Sequence, residues 1–250
     1  MELQEQYWFI RSLVRWQQQG TPTYFTKDLL HVLTKHSAAL SDVHRVAQLT
    51  ADNIVSIGSS LSHVHVPGRE KAEEELGEDE VEIGMGIHNE QGSERSKEDL
   101  PGLVKKMLKR MLDQSDADRN FIQISSSDKI VLLVNNLGGV SVLELGGITN
   151  QVVEQLEKDY GIKPLRTLAG TYMTSLNGLG FSITLLRLQD TGLGAGKSLL
   201  ELLDAPSEAS GWAAAVTTST WEKQSTAERN EAAGDDDTDK PSNLKSKTGL

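Results

Sequence analysis

The stretch Lys129–Asn135 (KIVLLVN) carries five consecutive aliphatic residues, Ile130 to Val134. An apolar run of this length, rich in β-branched residues and without polar alternation, is a strand buried on both faces. The chain then turns through Asn135-Asn136-Leu137-Gly138-Gly139 and enters Val142–Tyr160, where Leu143, Leu145, Ile148, Val152, Val153 and Leu156 recur at helical spacing. Gly161 stands where a left-handed residue ends a helix. Ile162–Leu168 reads as a second strand, Gly170–Gly180 as a hydroxyl-rich loop and Phe181–Leu188 (FSITLLRL) as a third strand. Strand, helix and strand in this order predict an α/β or α+β fold, a mixed sheet with packed helices.

Upstream, Val43, Val46, Ala47, Leu49, Ile54, Val55 and Leu61 predict helix through Ser41–Leu61, with Ser41 and Asp42 as caps. SHVHVPGRE predicts a short strand running into a turn at Pro67-Gly68. Glu70–Glu82 holds eight acidic residues and one basic residue, Lys71, the pattern of a solvated loop. Val81–His88 (VEIGMGIH) predicts an extended segment with Val81, Ile83, Met85 and Ile87 on one face. Its other face carries Glu82, Gly84 and Gly86, and glycines there let a backbone or ligand come close. Leu100–Asp113 has one apolar stripe opposite lysines and predicts an amphipathic helix.

Both ends differ in character from this middle. Met1–Leu40 is a distinct N-terminal segment whose Trp8, Phe9, Leu13 and Trp16 predict an amphipathic helix. Past 190 the pattern decays, so 191–250 is expected to be linker-like and mostly a disordered acidic tail. Trp212 and Trp221 are aromatic exceptions within it, read either as a docking contact or as isolated aromatics.

Thirty-six acidic against 25 basic residues leave a net charge of -11, whereas a phosphate-backbone binder concentrates Lys and Arg. Nucleic acid is not an expected partner. With no cysteine the chain has no disulfide, thiolate nucleophile or Cys-ligated metal, so its chemistry rests on His, carboxylates or hydroxyls. No apolar run approaches the ~20 residues of a membrane span, and the start lacks a signal-peptide pattern. A cytoplasmic protein without membrane contact is the expectation.

Three motifs invite a binding reading. TGLGAGKS at 191–198 ends like a P-loop but has Thr where the first glycine belongs, and GMGIHN at 84–89 imitates a dinucleotide fingerprint with Asn last. Neither supports a nucleotide site. His63 and His65, two apart on a strand, with His88 and Glu90, offer metal-ligand types at nonspecific spacing, so no metal site is assigned. His88 beside Asn89 and Glu90 suits a small polar ligand, because a neutral imidazole serves as nucleophile or proton carrier. Asn135, Asn136, Gly138, Gly139, Thr171, Thr174 and Ser175 follow buried strands, where function collects, although turn and helix capping explains the same residue types.

Four segments in order, HVHVPGR (63–69), EIGMGIHNEQG (82–92), LLVNNLGGVSVLEL (132–145) and GTYMTSLNGLGFSITLL (170–186), resemble successive motifs of the dihydroxyacetone (glycerone) kinase family. Single-chain fungal enzymes are the most similar. The resemblance spans Ser41–Ala205 and implies the second half of the substrate-binding K domain, here 41–190, followed by the start of an interdomain linker. It implies that His88 captures the carbonyl carbon of dihydroxyacetone or another short ketose or aldose as a hemiaminal, with Gly84, Gly86, Asn89 and Glu90 nearby. Asn89 and Gln91 depart from the small or rigid residues of the family motif. Phosphorylation would draw on ATP and magnesium held by a separate helical domain or partner subunit, within glycerol metabolism. The family's first half, with its Ser-Gly-His segment and later Asp, has no counterpart before Ser41, which suggests a truncated or degenerate domain. A homodimer, or pairing with a full-length kinase or ATP-binding subunit, follows as the partner expectation. A catalytically inactive fragment or regulatory protein is the alternative.

Overall fold

The computed structural model describes residues 29–33, 38–64, 67–68, 76–85, 92–116, 122–175, 177–207, 212 and 216–223. The chain divides into two compact units, Met1–Ala215 and Val216–Leu250. In the first, residues 29–33 are helical. They are followed by α1 (Leu40–Ala51), β1 (Ile54–Ser60), β2 (Val81–Ile83), β3 (Glu94–Ser96), α2 (Leu100–Leu112), β4 (Ile130–Asn136), α3 (Val142–Tyr160), β5 (Arg166–Gly170), β6 (Gly180–Arg187) and α4 (Leu199–Asp204). The second unit carries α5 (Thr218–Lys223), with Thr217 Oγ1 3.0 Å from Thr220 Oγ1 at its start.

The six strands form one mixed sheet in the order β3-β2-β1-β6-β4-β5, parallel only between β4 and β5. The parallel pair follows from the helix between them, since a crossover returns the chain in the same direction. Every residue of β4 is buried, as its unbroken aliphatic run predicts. Ile130, Leu132 and Val134 join Phe181, Ile183 and Leu185 of β6 under α2 and α3. Val131, Leu133 and Leu186 face the other way, against Leu29, Val32 and Leu33, Val43 and Val46 of α1, and Leu199, Leu202 and Leu203 of α4. The sheet therefore lies between two helical layers.

The ends of the elements have identifiable causes. Asp99 caps α2 through Gly102 N at 2.9 Å, and Ser141 with Glu144 forms a capping box at α3. Gly161, at φ 67°, closes α3 as expected. The strand after it starts at Arg166 rather than Ile162, because Ile162 N still bonds Leu156 O and Pro164 follows. Ser41–Leu61 is a helix only to Ala51; Ile54–Ser60 is strand β1. Asn53 makes the break: its Nδ2 donates to Leu49 O at 2.8 Å while its Oδ1 accepts from Arg187 Nε and Nη2 at 3.0 and 2.8 Å. The segment Ser62–Val64 is irregular rather than a strand.

The segment past 190 packs further than its composition suggests. Thr191 is buried, with Oγ1 donating to Lys197 O at 2.6 Å. Glycines 192, 194 and 196 take positive φ, and the Ser198–Glu201 capping box starts α4. Asp204 of α4 then forms a buried two-point pair with Arg166 of β5, at 3.0 and 2.7 Å. Trp212 docks on Tyr172, their ring centroids 5.1 Å apart. The expected helix at Met1–Gly20 and the tail at 224–250 lie outside the described residues.

Candidate functional site

The strand ends at Ser60, Asn136 and Gly170 lie at one end of the sheet, because β1, β4 and β5 run the same way and β6 antiparallel to them. Two loop systems meet there. In the first, Asn135 Oδ1 accepts from Tyr172 N and Met173 N at 2.8 and 2.9 Å, and its Nδ2 donates to Met173 O at 2.8 Å. Asn136 Oδ1 accepts from Gly138 N and Val140 N at 2.8 and 3.2 Å, and its Nδ2 donates to Val140 O at 2.6 Å. Leu137 O accepts from Ser175 N, Ser175 Oγ and Thr174 Oγ1. Gly138, at φ 122°, permits this approach: a Cβ there would sit 2.6 Å from Thr174 Oγ1. The amide and hydroxyl groups of Asn135, Asn136, Thr174 and Ser175 thus hold two loops together; the capping reading fits Asn136 and Ser175, which bond within their own turns, and not Asn135, whose partners are 37 and 38 residues away. Thr171 is exposed at the start of the second loop.

The second system is built around Glu82, which is only 2% exposed although it ends an acidic run that reads as solvated. The strand explains the difference. Val81 and Ile83 point into the core under α2, so the alternation of β2 turns Glu82 to the opposite face, beside Arg95 of β3. Its Oε1 accepts from Gly92 N at 2.9 Å and lies 4.0 Å from Arg95 Nε, while its Oε2 is 3.1 Å from His63 Nε2. A carboxylate oxygen accepts, so Nε2 of His63 carries the hydrogen.

The base of the β2–β3 connection is closed by further bonds. Ser93 N and Oγ donate to Ile83 O at 2.9 and 3.1 Å, and Gly84 N donates to Gly58 O at 2.8 Å. Gly84 has φ +77°, and a Cβ on it would meet Ser93 Oγ at 2.8 Å; one on Gly92 would meet Glu82 Cγ at 2.5 Å. Arg110 of α2 donates to Ser93 Oγ and Glu94 Oε2. Lys106 bridges Glu94, Ser96 and Glu98 at 3.1, 2.7 and 2.8 Å. The hydrogen bond from Lys106, with both nearby cations, holds the Glu94 carboxyl below its ordinary value.

Of the expected ligand-binding residues, Gly84 lies in this clamp; Gly86, His88, Asn89 and Glu90 lie outside the described residues, as does His65. Among the described residues no three His, Asp or Glu side chains converge as a metal site would require. None of the helices found there is long and apolar enough to cross a membrane. Sequence reasoning missed the pairing of His63 with Glu82. The available signal was a charged residue between two apolar ones in a strand, which alternation turns to the face opposite the core.

Known proteins place this arrangement. The Dak1 domain model matches residues 23–211, about three quarters of the chain. A dihydroxyacetone kinase of Pichia angusta is 45% identical over 202 residues, covering 76% of this chain and 33% of that protein. The chain spans about a third of the length of that relative and of the other yeast dihydroxyacetone kinases it matches. Among solved structures, the dihydroxyacetone kinase operon co-activator DhaQ superposes with a TM-score of 0.63 at 25% identity, covering 77% of this chain and 55% of that one. The dihydroxyacetone kinase of C. freundii, solved with AMP-PNP and Mg2+, superposes with a TM-score of 0.57 at 25% identity, covering 79% and 34%. The mixed sheet between helical layers, the ordered motifs at one end of it and the extent of these matches all agree: the chain belongs to the dihydroxyacetone kinase family and carries its Dak1 domain.

Proposed function

We propose that this chain captures a short ketose, with dihydroxyacetone as the type ligand, by adding an imidazole nitrogen of His88 to the carbonyl carbon. The observation that carries the reading is the clamp formed by Glu82–Gly92 and Ile83–Ser93, between whose two strands the GIHNE motif lies. In the addition a C–N bond forms and the carbonyl π pair moves onto oxygen. The proton lost from the imidazolium ends on that oxygen, so the step needs no oxidant and is reversible. Polyols lack the electrophilic carbon and are rejected on chemical grounds, short aldoses are admitted, and Gly84, Gly86, Asn89 and Glu90 shape the surroundings.

Phosphorylation of the captured triose in glycerol and triose metabolism would use ATP and magnesium supplied by a separate domain or a partner subunit. No residue of this chain is assigned to nucleotide or metal. A cytoplasmic location and pairing, with a second copy, a full-length kinase or an ATP-binding subunit, complete the reading. Similarity to the co-activator DhaQ favours a second one, a binding or regulatory protein that does no chemistry of its own.

Native mass spectrometry of the folded chain with dihydroxyacetone tests capture. The expected result is one added triose without loss of water, mapped to the peptide bearing His88 and absent in His88→Ala. A folded wild-type chain with no adduct, or an unchanged adduct in the variant, contradicts it. Phosphoester formed from ATP, Mg2+ and dihydroxyacetone only after an ATP-binding subunit is added supports the kinase reading; capture without phosphoester under any pairing supports the regulatory one.

A further inference from the structure

We propose that Trp212 is a releasable latch: its ring, held against Tyr172, fixes the loop at 171–175, so that the stretch leaving α4 controls the order of the loops at this end of the sheet. The inference does not depend on the capture reading above. Downstream of α4 the sequence APSEASGW (205–212) contains one large apolar side chain, that of Trp212. The indole packs against the core that holds Leu199, Leu202 and Leu203 of α4. It is tilted by 47° to the Tyr172 ring with centroids 5.1 Å apart, inside the range at which aromatic pairs attract.

Two anchors at opposite ends of β5 define the exit. Asp204 is fastened to Arg166, the first residue of β5, and Trp212 meets Tyr172, two residues past its last. Arg166 and Tyr172 are separated by at most about 20 Å of extended chain. The eight residues from Asp204 to Trp212 reach about 28 Å, enough to connect the two anchors. The first anchor is a buried ion pair with two hydrogen bonds, whereas the second is one aromatic side chain. Local opening starts where the fewest contacts hold, so Trp212 lets go while α4 stays.

Tyr172 passes the contact on. It is only 6% exposed, and its ring lies over Gly170, where an added Cβ would be 3.2 Å from Cε2. The backbone N–H groups of Tyr172 and Met173 donate to Asn135 Oδ1 at 2.8 and 2.9 Å. Thr174 and Ser175 then bond Leu137 O in the turn between β4 and α3. One contiguous set of contacts thus runs from Trp212 through Tyr172 to both loops. The strands do not depend on it: Val131 and Leu133 of β4 are also packed by Leu29, Val32, Leu33 and the leucines of α4.

The test is hydrogen exchange resolved to single amides on the full chain, in wild type, Trp212→Ala and Trp212→Phe. In the wild type, Tyr172 and Met173 should exchange faster than Ile130–Val134, because only the loop opens when the latch lets go. In Trp212→Ala the amides of Tyr172, Met173 and Ser175 should exchange about tenfold faster still, with Ile130–Val134 unchanged. Trp212→Phe, which restores a ring, should recover part of the protection. Wild-type rates at 171–175 in Trp212→Ala mean that the loop stands without the indole and overturn the proposal. Equal acceleration in β4, β6 and the loop makes Trp212 an ordinary core residue and also overturns it. A Trp212→Ala chain that fails to fold does the same, unless Trp212→Phe folds and shows acceleration confined to the loop.

Discussion

The two sides of the sheet are built to different rules. On β4 and β6 aliphatic side chains reach both cores, Leu168 of β5 joins one of them, and a buried Arg166–Asp204 pair fastens the edge strand to α4. From β1 through β2 to β3 the apolar packing thins: Val55, Ile57, Val81 and Ile83 face one core and Ile54 the other, while Ser56 and Ser60 of β1 lie on the face of Glu82 and Arg95. The first side supplies the burial that holds the domain together, at about 25 cal/mol per Å2 of apolar surface. The second gives up some of that burial for polar groups that must be paired. A charge such as Glu82 is tolerated inside because a backbone N–H and an imidazole satisfy it. Apolar burial and buried polar pairing thereby concentrate on different strands.

Substitutions can break that division, and the largest effect is expected at Asp204→Ala. Removing the carboxylate of a buried ion pair takes both Asp204 bonds from Arg166 and should cost about 3–5 kcal/mol in chemical denaturation. Leu132→Ala, at a site with no solvent exposure, should cost about 2–5 kcal/mol. Ketose capture per folded molecule should be unchanged in it. Glu82→Ala sharpens the contrast from the other side. Loss of the acceptor for Gly92 N and His63 should cost only about 1–3 kcal/mol, yet capture should fall far more than in Leu132→Ala. Equal capture by these two variants would show that the division is false.

The smallest effect is the response to acid. The Ser141 hydroxyl and backbone hold the Glu144 carboxyl below its ordinary value, and Ser198 does the same for Glu201. The backbone N–H of Ser125 lowers Asp128. A lowered folded value means the unfolded chain binds these protons first, so the contribution is complete above the ordinary carboxylate range and is lost as pH falls through the folded values. Unfolding midpoints should therefore be flat from neutral pH down to about pH 5 and decline below it.

Local signals made the β4–α3–β5 unit legible. An unbroken aliphatic run, a helical period and Gly161 each had a single structural meaning, and α3 runs from Val142 to Tyr160 as read. The stretch from Ser41 to Leu61 misled because Ile54 and Val55 continue the helical spacing by chance; the helix stops at Asn53 through its bond to Arg187, 134 residues away. The segment after Thr191 reads as linker because three glycines precede α4, whose leucines are held by a core contributed from elsewhere in the chain. The family motifs pointed to the GIHNE segment, which lies outside the described residues. The hydrogen bonds of Glu82 and Ser93 were not legible, because the burial of Glu82 depends on pairing β2 with β1 and β3, which no local pattern of acids reveals.

The most direct test of the account is the carbon NMR signal of dihydroxyacetone labelled at its carbonyl, mixed with the folded chain. The account predicts that the bound carbon moves from the carbonyl region to that of a tetrahedral carbon bonded to oxygen and nitrogen, and that His88→Ala abolishes this signal. A bound ligand whose carbon stays trigonal in the wild-type chain, or a tetrahedral signal that survives in His88→Ala, would contradict it.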